Sequence, residues 1–265
     1  MIQPIDKNSF RYTRRARRSA GFTLVELMLS MAFVSVLLVT IAVSVMQMAT
    51  IYNRGITLKE VNQAARDVSD DLRRSVQASS VFTVNSDESD SANLVQLKSG
   101  SVVATGRLCL GKSSYLWNTA KAIETGFSDR IRYTTSAGSA GDDVNLVKVP
   151  DATKKYCAKD SSGALVNKNI TYADSVNATE LLKQGDRTLR LLYFAVTTTD
   201  SAYDPLSAQR LYTVSYTIGT GNTSAMSLTS GVPTACLPPS DLNSDLTYCN
   251  VQQFSVALRA GNAVN

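Results

Sequence analysis

A long uncharged apolar segment near the amino terminus constrains this chain more than any other feature. Between Leu27 and Met46, sixteen of twenty residues are apolar and none is charged. At a rise of 1.5 Å per residue, twenty helical residues reach about 30 Å, the thickness of the hydrocarbon core of a bilayer. The sequence therefore predicts one helix that can span a membrane.

The residues before this segment are strongly basic. Residues 1–21 hold one acid, Asp6, and six basic residues, namely Lys7, Arg11, Arg14, Arg15, Arg17 and Arg18. Basic flanks resist translocation, so we expect the leader on the cytoplasmic side and the bulk of the chain outside. The whole chain has 27 basic and 22 acidic residues, and without the leader 21 of each remain. The pI of about 9.0 is thus a property of the leader and gives no reason to expect nucleic-acid binding.

Two simple interpretations of the apolar segment compete. A cleaved secretory signal peptide has an apolar core of about 7 to 15 residues followed by a small-residue cleavage site. Here the apolar run is longer, and the small residues Ala20 and Gly21 precede it. A plain signal anchor fits the length but leaves Glu26 unexplained, because an acid near one end of a span is costly and usually marks function.

Residues 21–27, with the sequence GFTLVEL, follow the basic leader directly and open the apolar segment. This motif resembles the class III signal of type IV prepilins and of type II secretion pseudopilins. The resemblance implies cleavage by a prepilin peptidase between Gly21 and Phe22, with N-methylation of Phe22. It also implies that Glu26 meets the amino terminus of a neighbouring subunit in a filament core, where a charge pair offsets desolvation. The implied partners are other pilin subunits, the prepilin peptidase and an inner-membrane assembly platform.

The helical pattern continues beyond the span, but its apolar part narrows to one face. The apolar residues of this face recur at three or four residues and are Val61, Ala65, Val68, Leu72 and Val76. We therefore expect one helix from Phe22 to about Ser79. Asn53 and Gly55 are the expected point of bending or fraying, since glycine costs about 1 kcal/mol in a helix interior.

Residues beyond the helix are rich in Ser, Thr, Val and Tyr and predict a headgroup of mostly antiparallel strands. The predicted strands are Val81–Val84, Leu94–Lys98, Val102–Leu110, Arg130–Thr135, Leu146–Val149, Thr188–Thr198, Arg210–Ile218 and Phe254–Arg259. Residues 189–196 and 211–218 are expected to form a central hairpin, and a short helix is expected over Ala178–Gln184. Polar tracts predict surface loops at Ser86–Ala92, Ser136–Asp143 and Thr220–Thr229.

The resulting organisation has four parts. We expect a cleaved leader at residues 1–21, a transmembrane and filament-core helix at 22–53, an amphipathic helix at 54–79 and an extracytoplasmic headgroup at 80–265.

Four cysteines follow the span, namely Cys109, Cys157, Cys236 and Cys249. An even count in an oxidising compartment predicts two disulfides, although four cysteines permit three pairings. We favour Cys236 with Cys249 and Cys109 with Cys157, because the segment between Cys236 and Cys249 is too polar and proline-rich to be held by packing. This cysteine-bounded loop and the apolar segment 250–259 after it resemble the last strand of PilW/PulJ-type minor pilins.

Catalytic and metal sites have little support in the sequence. The chain contains no histidine, which removes Ser-His and Cys-His pairs and the usual metal triads. The candidate calcium ligands are Asp87, Glu88 and Asp90, then Asp142 and Asp143, then Asp241 and Asp245. None matches a full calcium loop, and solvated loop acids are the simpler interpretation. A paired-carboxylate glycosidase is defined by geometry, which spacing does not reveal. We expect neither catalysis nor a cofactor.

These observations together predict an α+β pilin fold, with a long amino-terminal helix packed on an antiparallel sheet. Loss of the leader would leave 244 of 265 residues. That size, a span without proline and the carboxy-terminal pattern favour a minor pilin that primes assembly or caps a pilus tip. The alternatives are a minor pseudopilin of type II secretion, a major pilin, and a membrane-anchored extracytoplasmic binding domain outside any filament. The expected location is the inner membrane as a single-pass protein, and then the cell surface.

Overall fold

The structure, a computed structural model, describes residues 21–84, 93–182, 188–198, 203–204 and 206–261. The chain divides into two units, Met1–Met48 and Ala49–Asn265. Helix α1 (Leu24–Gln77) contributes residues to both. Most of the leader, residues 1–20, lies outside the described residues.

The described part of the first unit is an apolar helix whose surface is exposed along its length. Leu24 is 75% exposed and Met46 is 69% exposed. The polar side chains between Leu27 and Met46 all carry hydroxyl groups. Each hydroxyl donates a hydrogen bond to a helix carbonyl three or four residues earlier, and the residues are Ser30, Ser35, Thr40 and Ser44. These donors are satisfied without water, as a membrane interior requires. Among the described residues, α1 is long and apolar enough to cross a membrane.

The second unit contains the second half of α1, two short helices and antiparallel strands. The short helices are α2 (Ala120–Glu124) and α3 (Tyr172–Ser175). The strands are β1 (Leu94–Ser99), β2 (Val102–Cys109), β3 (Ser113–Asn118), β4 (Arg132–Thr134), β5 (Ala140–Asp143), β6 (Leu146–Pro150), β7 (Thr179–Glu180), β8 (Leu189–Thr197), β9 (Tyr203–Asp204), β10 (Gln209–Thr220), β11 (Met226–Thr229), β12 (Val232–Cys236) and β13 (Val251–Ala260).

Two sheets form most of this unit. Sheet 1 has the order β1-β2-β3-β6-β7, and sheet 2 has the order β13-β10-β8 with β9 also paired to β10. Two small hairpins, β4–β5 and β11–β12, each form a separate two-stranded sheet. The central pairing predicted between residues 189–196 and 211–218 is confirmed, because β8 and β10 pair antiparallel from Thr213↔Thr197 to Thr220↔Leu189.

The core forms where the second half of α1 packs against both sheets. All five residues of the predicted apolar face are fully buried, and they share one cluster with Trp117, Phe194 and Tyr216. The neighbouring residues Thr57 and Ala64 are buried as well. Strand alternation directs a second cluster, which includes Leu116, to the opposite face of sheet 1. Long-helix packing on antiparallel sheets agrees with the α+β expectation.

Two secondary-structure predictions are wrong because tertiary contacts outweigh local sequence preference. Residues 81–84 form no strand; the Phe82 ring stacks on Tyr212 with centroids 3.9 Å apart, and the Tyr212 hydroxyl bonds the Phe82 backbone N–H and C=O. The helix predicted over Ala178–Gln184 is replaced by β7, which pairs with the edge of β6. The last two residues of that segment, 183 and 184, lie outside the described residues.

The expected irregularities and loops also differ from the structure. The backbone of α1 stays helical at Asn53 and Gly55, where Thr57 is buried and donates to the Asn53 carbonyl over 2.9 Å. The polar tract at 136–143 contains β5, and the tract at 220–229 contains a 3₁₀ turn and β11. The tract at 86–92 lies outside the described residues.

Candidate functional site

The candidate processing and assembly segment stands at the start of α1. Gly21, Phe22 and Thr23 precede the helix, and Phe22 is 74% exposed. The Thr23 hydroxyl accepts a hydrogen bond from the Glu26 backbone N–H over 3.2 Å, which caps the helix. Sequence reasoning missed this role of Thr23, although Thr followed three residues later by Glu is the spacing of a capping box.

The Glu26 carboxylate itself has no partner in the described chain. Within the residues that the structure describes, no hydrogen bond or ion pair involves this carboxylate, and the cap uses only the backbone N–H of Glu26. An acid in the first turn of a helix is stabilised by the positive end of the helix dipole. The carboxylate is therefore tolerated at this position while remaining available to an external cation.

The structure brings together the two predicted cysteine pairs in the second unit. Cys109 and Cys157 lie with their sulfurs 2.02 Å apart, and the sulfurs of Cys236 and Cys249 are 2.10 Å apart. The first pair ties the end of β2 to residue 157, and the second ties the end of β12 to the residue two before β13. Both pairs are at disulfide distance.

We expect non-reducing peptide mapping of the mature chain to recover Cys109 with Cys157 and Cys236 with Cys249. Their sequence separations of 48 and 13 residues correspond to about 4 and about 3 kcal/mol of stabilisation in the chain-entropy model. Replacing both cysteines of one pair by serine should lower the free energy of unfolding by about these amounts. Free thiols throughout, or Cys109 bonded to Cys249, would refute this pairing.

Buried tyrosines join α1 to both sheets. The Tyr115 hydroxyl donates to Asp71 Oδ2 over 2.6 Å, and Lys148 Nζ lies 2.9 Å from Asp71 Oδ1. On sheet 2, the Tyr216 hydroxyl donates to the Ala65 carbonyl over 2.7 Å. Burial, and then the hydrogen bond to Asp71, raises the pKa of Tyr115 well above its ordinary value, and burial also raises the pKa of Tyr216.

Because the pKa values of Tyr115 and Tyr216 are raised by folding, we expect the headgroup to unfold at alkaline pH. Their pKa values are raised in the folded chain and near 10 in the unfolded chain, so their contribution to stability is present below about pH 10 and is lost as pH rises above it. Each contributes a slope of up to about 1.4 kcal/mol per pH unit. In an ultraviolet absorbance titration, we expect the buried phenols to ionise in one cooperative step together with unfolding. Tyr115→Phe should reduce that step, whereas gradual ionisation of every tyrosine in the folded chain would contradict this prediction.

A cleft beside the Asp71–Lys148 ion pair has a basic rim. Its volume is about 460 Å³, and its lining includes Arg74, Lys112 and Lys148. Lys148 is paired with Asp71, whereas the side chains of Arg74 and Lys112 are exposed and make no hydrogen bond or ion pair in the described chain. The described lining contains no nucleophile paired with a base.

Three of the four described acids considered as calcium ligands have local structural partners, and the fourth, Asp142, is exposed. Asp143 pairs with Arg130 over 2.8 Å. Asp241 and Asp245 accept backbone N–H groups of the turns that follow them. Among the described residues no group of three or more acidic, cysteine or histidine side chains could hold a metal ion. Asp87, Glu88 and Asp90 lie outside the described residues.

Arg107 is a buried charge that sequence reasoning did not single out. Its side chain is fully buried, and Nη2 donates to the Lys168 carbonyl over 2.8 Å. Its Nε and Nη1 make no hydrogen bond within the described residues. Burial lowers the pKa of Arg107 to about 10, with Asp129 acting in the opposite direction. The sequence signal for this buried charge was the presence of one basic residue in a strand without other charged residues.

Comparison with known proteins adds no assignment. The chain matches no protein-family model, no curated protein and no solved structure.

Proposed function

We propose that this chain is a structural, non-catalytic subunit of a type IV pilin-class filament, and that it acts as a minor pilin in priming assembly or capping the tip. The observation that carries the proposal is the exposed apolar half of α1, which directly follows the GFTLVEL motif and whose helix continues into a folded headgroup. A membrane would cover this apolar surface before assembly, and the equivalent helices of neighbouring subunits would cover it afterwards.

Cleavage between Gly21 and Phe22 would create a positive charge that can pair with the Glu26 carboxylate of a neighbouring subunit. A prepilin peptidase acting there would leave the amine of Phe22 at the start of α1, and each subunit would then carry one amine and one unpaired carboxylate. A single acid in hydrocarbon is costly, whereas an acid that meets a neighbour's amine forms a charge pair. The capped helix start supports this role, because Thr23 fixes the backbone and leaves the carboxylate free. The remaining partners would be an inner-membrane assembly platform and other pilin subunits.

The minor-subunit assignment rests on particular features of the chain. Removal of residues 1–21 leaves 244 residues, which is large for the repeating unit of a filament. The span contains no proline, and the segment after the Cys236–Cys249 loop forms the long terminal strand β13. A minor pseudopilin would share these features, so the location of the assembled protein distinguishes the two.

Sheared surface filaments test the function. In the native host, antibody against the headgroup should detect the processed chain in the sheared fraction, at a small fraction of the major subunit's abundance. A comparable abundance would indicate a major pilin. Complete absence from sheared filaments, with normal levels in the membrane, would favour a secretion pseudopilin or an anchored binding domain.

A further inference from the structure

The cleft beside the Asp71–Lys148 ion pair has the size of a small-molecule site. Residues of α1, of the turn before β3, of β6 and of the β7 region line it, and all of them belong to the second unit. Its volume of about 460 Å³ falls within the range of about 300–1,000 Å³ that is usual for ligand sites. The cleft is therefore large enough for a molecule of monosaccharide size.

The charged residues of the lining leave an excess of positive charge. Lys148 Nζ lies 2.9 Å from Asp71 Oδ1, and the Tyr115 hydroxyl donates to Asp71 Oδ2 over 2.6 Å, so both oxygens of this acid are bonded. The side chains of Arg74 and Lys112 are exposed and make no hydrogen bond or ion pair in the part of the chain that the structure describes. The lining thus carries three cations and one acid, a net charge of +2.

Three acids adjoin lining residues in sequence without balancing this charge. Asp151, directly after β6, is buried, and its carboxylate accepts hydrogen bonds from the turn that follows it. Glu180 alternates with the lining residue Thr179 along β7, so its side chain lies on the other face, where it accepts the Leu146 backbone N–H over 2.9 Å. Asp70 of α1 is exposed and does not line the cleft. Within the described residues, the positive charge is therefore available to an external anion.

Uncharged groups of the lining suit a hydroxylated ligand. The side chains of Asn177 and Thr179 are exposed and make no hydrogen bond in the described chain. An amide and a hydroxyl can each donate to a ligand hydroxyl or accept from it. Ala78, Pro150 and Leu181 add apolar surface on which a ring can lie. The cleft thus offers two unpaired cations, two polar side chains and apolar walls to one ligand.

We propose that this cleft binds a small organic anion, in which a carboxylate or phosphate is attached to a hydroxylated ring of monosaccharide size. Arg74 and Lys112 would bond the oxyanion, because hydrogen bonds between these cations and an oxygen anion are charge-assisted. Asn177 and Thr179 would bond hydroxyl groups of the ring. The proposal does not depend on the filament assignment.

A long polyanion such as nucleic acid suits this arrangement less well. Beyond residue 21 the chain has 21 basic and 21 acidic residues, so no overall positive charge attracts a polyanion. The two unpaired cations lie on one concave cleft, whereas nucleic-acid backbones are bound along extended basic grooves or stripes. The observed charges therefore favour a small anion.

Ligand-observed NMR titration of the chain, purified from membranes in detergent, tests the proposal. The probes are glucuronate, glucose 6-phosphate, neutral glucose, inorganic phosphate and a single-stranded DNA oligonucleotide. We expect at least one of the two sugar anions to bind at least about tenfold more tightly than glucose or inorganic phosphate. Comparison of glucuronate with glucose 6-phosphate distinguishes a carboxylate ligand from a phosphate ligand.

Charge-removing variants assign the binding to the cleft. Arg74→Gln and Lys112→Gln should each weaken binding of the sugar anion at least about tenfold, which is 1.4 kcal/mol. Arg73→Gln is the matched control, because Arg73 is exposed beside Arg74 on α1 and does not line the cleft. This control should leave binding unchanged. Disulfide content and Trp117 fluorescence report whether each variant is folded.

A second background removes four acids that lie outside the described residues, namely Asp87, Glu88, Asp90 and Asp186. With all four replaced by asparagine or glutamine, the same sugar anion should bind with similar affinity. Binding that appears only in this background would show that acids of the chain itself compete for the cleft, and it would overturn the proposal. The proposal would also be overturned by no binding of either sugar anion at about 10 mM, by equal binding of glucose or inorganic phosphate, by tighter binding of the oligonucleotide, or by an equal effect of Arg73→Gln.

Discussion

Replacing Glu26 by alanine is expected to remove the chain from sheared filaments while leaving cleavage, membrane insertion and the headgroup unchanged. Helix capping survives this change, because Thr23 bonds the backbone N–H of residue 26. Under the proposed function, the loss would come from the charge pair that the assembly then lacks. Removing one partner of a buried pair costs about 3–5 kcal/mol, so we expect recovery in the filament to fall about a hundredfold or more.

Two matched variants separate the charge of Glu26 from its size. Glu26→Gln keeps the shape and removes the charge, and it should fail like alanine. Glu26→Asp keeps the charge at a shorter reach and should be impaired less. Immunoblots of the sheared fraction are compared with total-membrane levels for each variant. Normal recovery of Glu26→Ala would remove the physical argument that this acid meets a neighbouring subunit.

Gly106→Ala is expected to destabilise the headgroup more than other single-methyl additions. A Cβ at this position would lie 2.2 Å from Cζ2 of Trp117, a distance that real Cβ atoms do not reach. The Trp117 ring cannot move away freely, because it is fully buried and packs on Phe194 with centroids 4.4 Å apart. Overpacking of cores typically costs 1–3 kcal/mol, and with this contact we expect about 3 kcal/mol or more.

Gly55→Ala is the matched control for this substitution. Gly55 is exposed within α1, and a Cβ added there meets nothing within 4 Å. Alanine is preferred over glycine in a helix, so this variant should be stabilised by about 0.5–1 kcal/mol. Denaturant unfolding in detergent can be followed through Trp117, the single tryptophan of the chain. Equal unfolding midpoints for Gly106→Ala and the parent chain would show that the described packing is wrong.

The long elements could be predicted because their sequence patterns are strong and local. The spacing of Val61, Ala65, Val68, Leu72 and Val76 alone indicated which face of α1 is buried. β8 and β10 were recognisable as long β-branched and aromatic runs. The wider organisation of residues 1–53 into leader and filament-core helix stays a prediction.

The missed elements depend on contacts that no short pattern reveals. β3 lies in the middle of sheet 1, and all six of its residues are buried. Its polar residues, such as Ser113 and Asn118, are therefore buried too, and the strand lacks the alternation of polar and apolar residues that predicts a half-exposed strand. Asn118 is buried because its side-chain amide bonds the Ile131 and Val144 carbonyls. β7 exists because residues 179–180 complete the edge of β6, against a local sequence that favours helix.

The candidate site was predictable in its residues and not in its contacts. The motif supplied Gly21, Phe22 and Glu26, and the polarity of the intervening loop supplied the pairing of Cys236 with Cys249. The burial of Arg107 required the second core cluster, which forms only once sheet 1 and residues 151–178 are folded together.

The intact mass of the mature chain purified from its native membrane tests the central claim most directly. We expect one species that begins at Phe22, carries one N-methyl group and contains two disulfides. This mass follows from a cleavage site that precedes the span, which leaves the apolar half of α1 in the mature protein. A mature chain that begins near residue 45 or later would identify a conventional signal peptide and contradict the account.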